Sequence, residues 1–190
     1  MSNTRAAHAR NLVGPLIRSA YRIEVRNVEN LPARGPVLIV CRWNNIAAPT
    51  VLKAGLPRPV HVWAAGSAAL PGPLLSITGD LAMPEGRPGV DVVRAVTKLL
   101  EQGEAVAAVG VGDIGYALAR TGAPVLVASI TAPPTKRPTD PPARKSRITV
   151  TLGGLHLPPE RFHLPCPTRG TARAAAEWTR QQSVDAVGGL

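Results

Sequence analysis

Apolar and polar positions along this chain switch repeatedly between a strand period and a helix period. Val37 to Cys41 is a continuous apolar run, the pattern of a strand buried on both faces of a parallel sheet. Val60 to Ala64, Ala105 to Val109 and Pro124 to Ile130 repeat it at strand length. Tyr21 to Val28 reads as a strand by the alternation of Tyr21, Ile23 and Val25, and Ile148 to Leu152 is the last, ahead of Gly153-Gly154. Helical spacing fills the intervals. Pro49 to Ala54 supplies a crossover helix, and Val92, Val93, Val96, Leu99 and Leu100 share one side of a helix over Val90 to Gln102 that Gly103 stops. Ile114 to Arg120 gives a short helix and Thr171 to Gln181 a closing one. Strands alternating with helices predict an α/β fold: a single domain with a mainly parallel sheet flanked by helices.

Residues 1–20 have a different character. Leu12, Leu16, Ile17, Ala20 and the adjoining Tyr21 fall on one helical side, with Arg10, Arg18 and Arg22 around the rest, and Pro15 limits the helix or begins it. Such a basic amphipathic segment either caps the domain's own core or lies on an anionic bilayer; its short apolar face favours the core. The domain proper then spans 21–190. Its pattern is interrupted at 132–147, where repeated prolines accompany Lys136, Arg137, Arg144, Lys145 and Arg147. This is an exposed basic loop, read as solvated surface ahead of a dedicated anion-binding arm.

Composition narrows the partners more than the fold. With 190 residues and 45% apolar content the chain can bury one core, and no apolar run reaches the length of a transmembrane helix. The N-terminus lacks the apolar core and small-residue cleavage site of a secretory signal, so the expected location is cytoplasmic, with peripheral contact at the inner face of the membrane as its extension. Cys41 and Cys166 are too few for a disulfide framework or a CxxC metal site. A formal charge of +10 admits anionic headgroups, nucleic acid or acidic proteins, while 3% aromatic content disfavours stacking on single-stranded nucleic acid. Gly110-Val111-Gly112 lacks the third glycine of a dinucleotide fingerprint, there is no P-loop or metal motif, and no cofactor or metal is expected.

Several segments carry a resemblance. They are Asn30-Leu31-Pro32 with Gly35 to Val40, Leu56 to His61, and Gly79 with Leu81 before a helix ending Leu99-Leu100-Glu101-Gln102-Gly103. The most specific is Gly115-Tyr116-Ala117-Leu118-Ala119-Arg120-Thr121-Gly122-Ala123-Pro124-Val125. In this order they resemble the lysophosphatidate (1-acylglycerol-3-phosphate) acyltransferase family over residues 20 to 182. The resemblance implies a glycerophospholipid acyltransferase-like fold and an active site in which a histidine takes the acceptor hydroxyl's proton and an aspartate orients the imidazole. In Arg42-Trp43-Asn44-Asn45-Ile46-Ala47-Ala48, Trp43 and Ala48 stand at those two positions. Indole has no basic nitrogen, and alanine has no side-chain acceptor.

The other three family motifs also depart from the pattern. Val109-Gly110-Val111-Gly112-Asp113-Ile114-Gly115 passes straight to the next helix where the family has Phe-Pro-Glu-Gly-Thr-Arg, Glu85 aligns with a phosphate-contacting arginine, and Leu126-Val127-Ala128 replaces Val-Pro-Val. Among substitutes, His61 is the rescue candidate for a base, with a packed strand histidine as its structural reading. Arg42, Asn44, Asn45 and Arg87 are candidates for substrate binding. Cys41 as a thiol nucleophile yields to packing, and Asp80 with Glu85 to solvated surface. The expected function is therefore that of an acyltransferase homologue that has lost acyl transfer and binds an acyl chain, a lysophospholipid or a protein partner. The alternatives are a divergent active acyltransferase using acyl-CoA or acyl carrier protein, and a basic module for RNA or membrane surfaces.

Overall fold

The computed structural model describes residues 14–41, 47–65, 81–83, 90–110, 114–137 and 140–188. A helix at 14–20 (α1) leads into β1 (Arg22–Arg26), a 3-10 turn at Val28–Asn30 and β2 (Val37–Cys41). There follow α2 (Ala48–Gly55), β3 (His61–Ala65), β4 (Leu81–Met83), α3 (Val90–Glu101), β5 (Ala105–Val109) and α4 (Gly115–Thr121). The chain ends with β6 (Val125–Thr131), β7 (Arg147–His156), a 3-10 turn at Glu160–Phe162 and α5 (Arg169–Gly188).

The strands form one seven-stranded sheet in the order β1-β7-β6-β2-β5-β3-β4. From β6 to β4 every pairing is parallel. β7 runs antiparallel to β6 and parallel to β1, so the last two strands make a reversed wing. The mainly parallel single domain expected from the sequence is thus what the chain adopts.

Strand alternation sorts the core into two layers. Val37, Ile39 and Cys41 of β2, with Ala105, Ala107 and Val109 of β5, join Val51 and Leu52 of α2 on one face. Leu38, Val40, Val106 and Ala108 turn to the other face, against Val96 and Leu100 of α3, Leu118 of α4 and Ala175 of α5. The apolar runs are continuous because both faces are covered. On the second face Phe162 meets Trp178 edge-on, with ring centroids 6.4 Å apart.

A glycine ends α3 where the sequence places it. Gly103 (φ 78°) follows α3, and its successor Glu104 donates its N–H to Leu99 O at 3.0 Å. At the opposite helix boundary, Thr168 Oγ1 accepts from Thr171 N–H at 3.2 Å and caps α5, which starts two residues before the expected Thr171. At the amino ends of the central strands the Arg58 guanidinium donates to Pro32 O (2.9 Å), Gly35 O (3.0 Å) and Gly103 O (3.3 Å). Burial pulls this guanidinium below the ordinary arginine range, and nearby Glu104 opposes that shift. The bonds fasten the turn before β2 to the turn before β5.

Several elements depart from the sequence reading, among them β4, which no pattern announces, and α5, which runs on to Gly188. β7 runs through Gly153-Gly154 to His156, with a register shift between Leu126 and Ala128 of β6. The glycines sit in an irregular stretch whose carbonyls are held by side chains: Asn27 Nδ2 donates to Leu152 O at 3.1 Å and Asn30 Nδ2 to Gly153 O at 2.9 Å. The basic loop ends one residue early, because Arg147 is the first residue of β7. In α1, Arg18 donates twice to Ala54 O (2.7 and 3.1 Å), which fastens the helix to the carboxyl end of α2, while Leu16 is 69% exposed.

Candidate functional site

In an open α/β sheet, ligands bind beyond the carboxyl ends of the strands. Here the central carboxyl ends come together by register: Cys41 of β2 lies opposite Val109 of β5 and Ala128 of β6, and Val109 lies opposite Ala64 of β3. Gly110 N–H donates to Cys41 O at 3.2 Å, which keeps the exit from β5 close to the exit from β2. Over this edge sits the start of α2. Its first turn closes through Val51 N–H and Thr50 Oγ1, both donating to Ala47 O at 2.9 Å.

The side chains at this edge are small and apolar. Cys41, Ala47, Ala48, Ala64, Val109 and Ala128 are all buried and belong to one cluster. Ala48, the first residue of α2, has 0% exposure. A carboxylate at that position would lie in an apolar layer and would need a partner to be tolerated. The methyl group needs none.

Of the residues singled out in the sequence, the structure places Cys41 and Ala48 at this edge, both buried. His61 begins β3 at the level of Val106, three register steps before Ala64 meets Val109. At roughly 3.3 Å per residue this is about 10 Å back along the strand. By alternation it shares a face with Trp63, on the side of α3, α4 and α5, whereas Ala48 packs on the other. His61 is buried, and the fold does not bring it to Ala48. Arg42, Trp43, Asn44, Asn45, Glu85 and Arg87 lie outside the described residues.

Among the buried polar groups that sequence reasoning passed over are Lys53 and Trp63. Lys53 in the last turn of α2 is 3% exposed and is the one charged residue of that helix. Trp63 is fully buried on β3, and its Nε1 has no hydrogen-bond partner among the described residues. Among those residues, no cluster of three or more His, Cys, Asp or Glu side chains is arranged to hold a metal ion.

No protein-family model matches the chain, and no curated protein matches it in sequence. A solved structure does match. It is the 1-acyl-sn-glycerophosphate (LPA) acyltransferase PlsC from Thermotoga maritima, which is 13% identical and superposes with a TM-score of 0.54. The match covers 97% of this chain and 79% of that one. The fold is that of a lysophosphatidate acyltransferase.

Proposed function

We propose that this protein is a lipid- or acyl-binding homologue built on the acyltransferase fold, and that it has lost acyl transfer. The observation that carries the reading is the buried Ala48 at the head of α2, in an edge lined by Cys41, Ala64, Val109 and Ala128. Trp43 at the position of the family's base points the same way. A general base is commonly worth about 10²- to 10⁴-fold in rate, and loss of phosphate positioning forfeits further effective molarity.

Each methylene removed from water contributes about 0.8 kcal/mol, so a hydrocarbon chain needs no polar contact at its reacting end to bind. Cys41, Ala48, Ala64, Val109 and Ala128 are packed against one another, so on this reading the chain lies beyond the edge they form and not among them. Its occupant on this reading is an acyl chain or a lysophospholipid. Among the described residues no helix is long and apolar enough to cross a membrane. The location that goes with this reading is cytoplasmic, with peripheral contact at the inner face of the membrane through α1, where Leu16 is exposed beside Arg18. Native mass spectrometry of the protein, as isolated and after incubation with lysophosphatidate, checks the binding. The expected spectrum contains adducts of acyl-chain or lysophospholipid mass; a spectrum with none under either condition removes the lipid reading and leaves a protein partner as the occupant.

A further inference from the structure

A concave surface lies on the reversed wing, two to three strands away from β2. β1 and β7 pair there with Arg22 opposite Arg147 and Glu24 opposite Thr149. The basic segment after β6 returns to this point, and Lys145 adopts a left-handed backbone conformation (φ 65°) that usually falls to glycine or asparagine. Three main-chain bonds hold the turn: Lys145 N–H to Ala20 O at 2.6 Å, Ser146 N–H to Ala143 O at 3.2 Å, and Arg22 N–H to Ser146 O at 2.9 Å. The result is a cavity of about 520 Å³ lined by Arg22, Ile23, Glu24, Lys145 and Arg147.

The charge in this cavity is unbalanced. Glu24 is its one carboxylate, and it is already engaged, accepting from Arg26 Nε at 2.9 Å and pairing with Arg147 Nε at 3.5 Å. The hydrogen bond and charge of Arg26, with Arg147 adding, hold the Glu24 carboxyl below the usual carboxylate range, so it stays ionised as pH falls toward that range. Neither Arg22 nor Lys145 forms a salt bridge among the described residues. The contact of Arg147 with Glu24 uses one nitrogen of a guanidinium that carries five N–H donors.

We propose that the Arg22–Lys145–Arg147 cleft is a binding site for a phosphate group, carried either by a lipid headgroup or by a small soluble anion. Two guanidinium forks and one ammonium around a single concavity match a compact anion with several acceptor oxygens. No aromatic side chain lines the cleft, so it offers bases no stacking platform, and a polynucleotide fits it less well than a phosphate. The site is formed by other strands than the apolar carboxyl edge. It does not depend on the lipid reading above, and an empty lipid spectrum leaves it standing.

The test uses the full chain, titrated with inorganic phosphate by NMR and floated with phosphatidylcholine vesicles with and without phosphatidic acid. Arg22→Ser/Arg147→Ser is compared with the charge-matched Arg94→Ser/Arg173→Ser, whose positions are exposed elsewhere on the surface. The expected result is a loss of about tenfold or more in affinity in the first variant and a change within about twofold in the second. Saturable phosphate binding with no preference for phosphatidic acid assigns the site to soluble anions; flotation that needs both phosphatidic acid and the two arginines assigns it to headgroups. Equal loss in both variants means that net charge alone attracts the anion, and overturns the site. So does the absence of binding in both arms, or binding to a short RNA that persists in the Arg22→Ser/Arg147→Ser variant while phosphate has no effect.

Discussion

Trp63→Ala is expected to lower the free energy of unfolding by about 3–5 kcal/mol, the range for deleting a large aromatic side chain from a packed core. Trp63 has 0% exposure and stands in the row Val40–Ala108–Trp63–Leu81 that crosses four strands. Trp63 is packed in the layer with Val40, Val96, Leu100 and Ala108, so removing the ring leaves a void that this layer is expected to close only in part. Against a total stability of about 5–15 kcal/mol this is a large fraction. Trp63→Phe should cost less than half as much. Phenylalanine keeps most of the apolar volume and removes an indole N–H that has no hydrogen-bond partner among the described residues. Denaturant midpoints of the two variants check the order; equal losses would show that the ring volume is not what matters.

Gly115→Val carries the second large effect, expected at about 3 kcal/mol or more. A Cβ at Gly115 would overlap Ala172 O and lie 2.9 Å from Ala176 Cβ, so α4 and α5 approach each other too closely for any side chain. The obstructing atom is a backbone carbonyl, which has no rotamer to change, and the helices would have to separate. Shaving Ala176 to glycine in the same chain is therefore expected not to restore stability. Gly170→Ala is the contrasting change. A Cβ there meets only Thr168 Oγ1, at 3.7 Å, and helix propensity predicts a gain of up to about 1 kcal/mol. Thermal unfolding of the three variants tests the set; a Gly115→Val protein as stable as the parent would show that α4 and α5 are not in close contact.

Gly115 also shows how a resemblance can have a physical cause. It opens the segment Gly115 to Val125 that most closely resembles the acyltransferase family, and the close helix approach and the left-handed Gly122 (φ 60°) both fall within it. Elsewhere the sequence was most legible where burial is symmetric. β2 and β5 have the bounds of their apolar runs because both faces are covered, and α3 stops where Gly103 turns. The three-residue β4 is too short for any period, and β7 hides its continuation because Gly153-Gly154 resembles a stop. What keeps that stretch in the sheet is the pair Asn27 and Asn30, more than 120 residues earlier, and no local pattern reveals such a partner. α5 extends to Gly188, past the expected Gln181, through a stretch with little amphipathic signal.

Position 48 was singled out in the sequence through the resemblance to the acyltransferase family, in which alanine here stands in the place of the orienting aspartate. The fold adds that this alanine is buried at the head of α2 beside the exits of β2, β3 and β5. It also places His61 about 10 Å back along its strand, on the opposite layer, a separation that depends on register and face and cannot be read from spacing. Lys53 and Trp63 were passed over because a lone polar atom in an apolar run looks the same in sequence whether it is buried or exposed.

Thioester turnover tests the central claim most directly. Purified protein is supplied with long-chain acyl-CoA, or with acyl carrier protein charged with the same chain, together with lysophosphatidate, and thiol release is followed beside an active lysophosphatidate acyltransferase. The account predicts release at the background rate, unchanged by His61→Ala. Lysophosphatidate-dependent release that His61→Ala abolishes would contradict it, and would make this chain an acyltransferase with a different catalytic constellation.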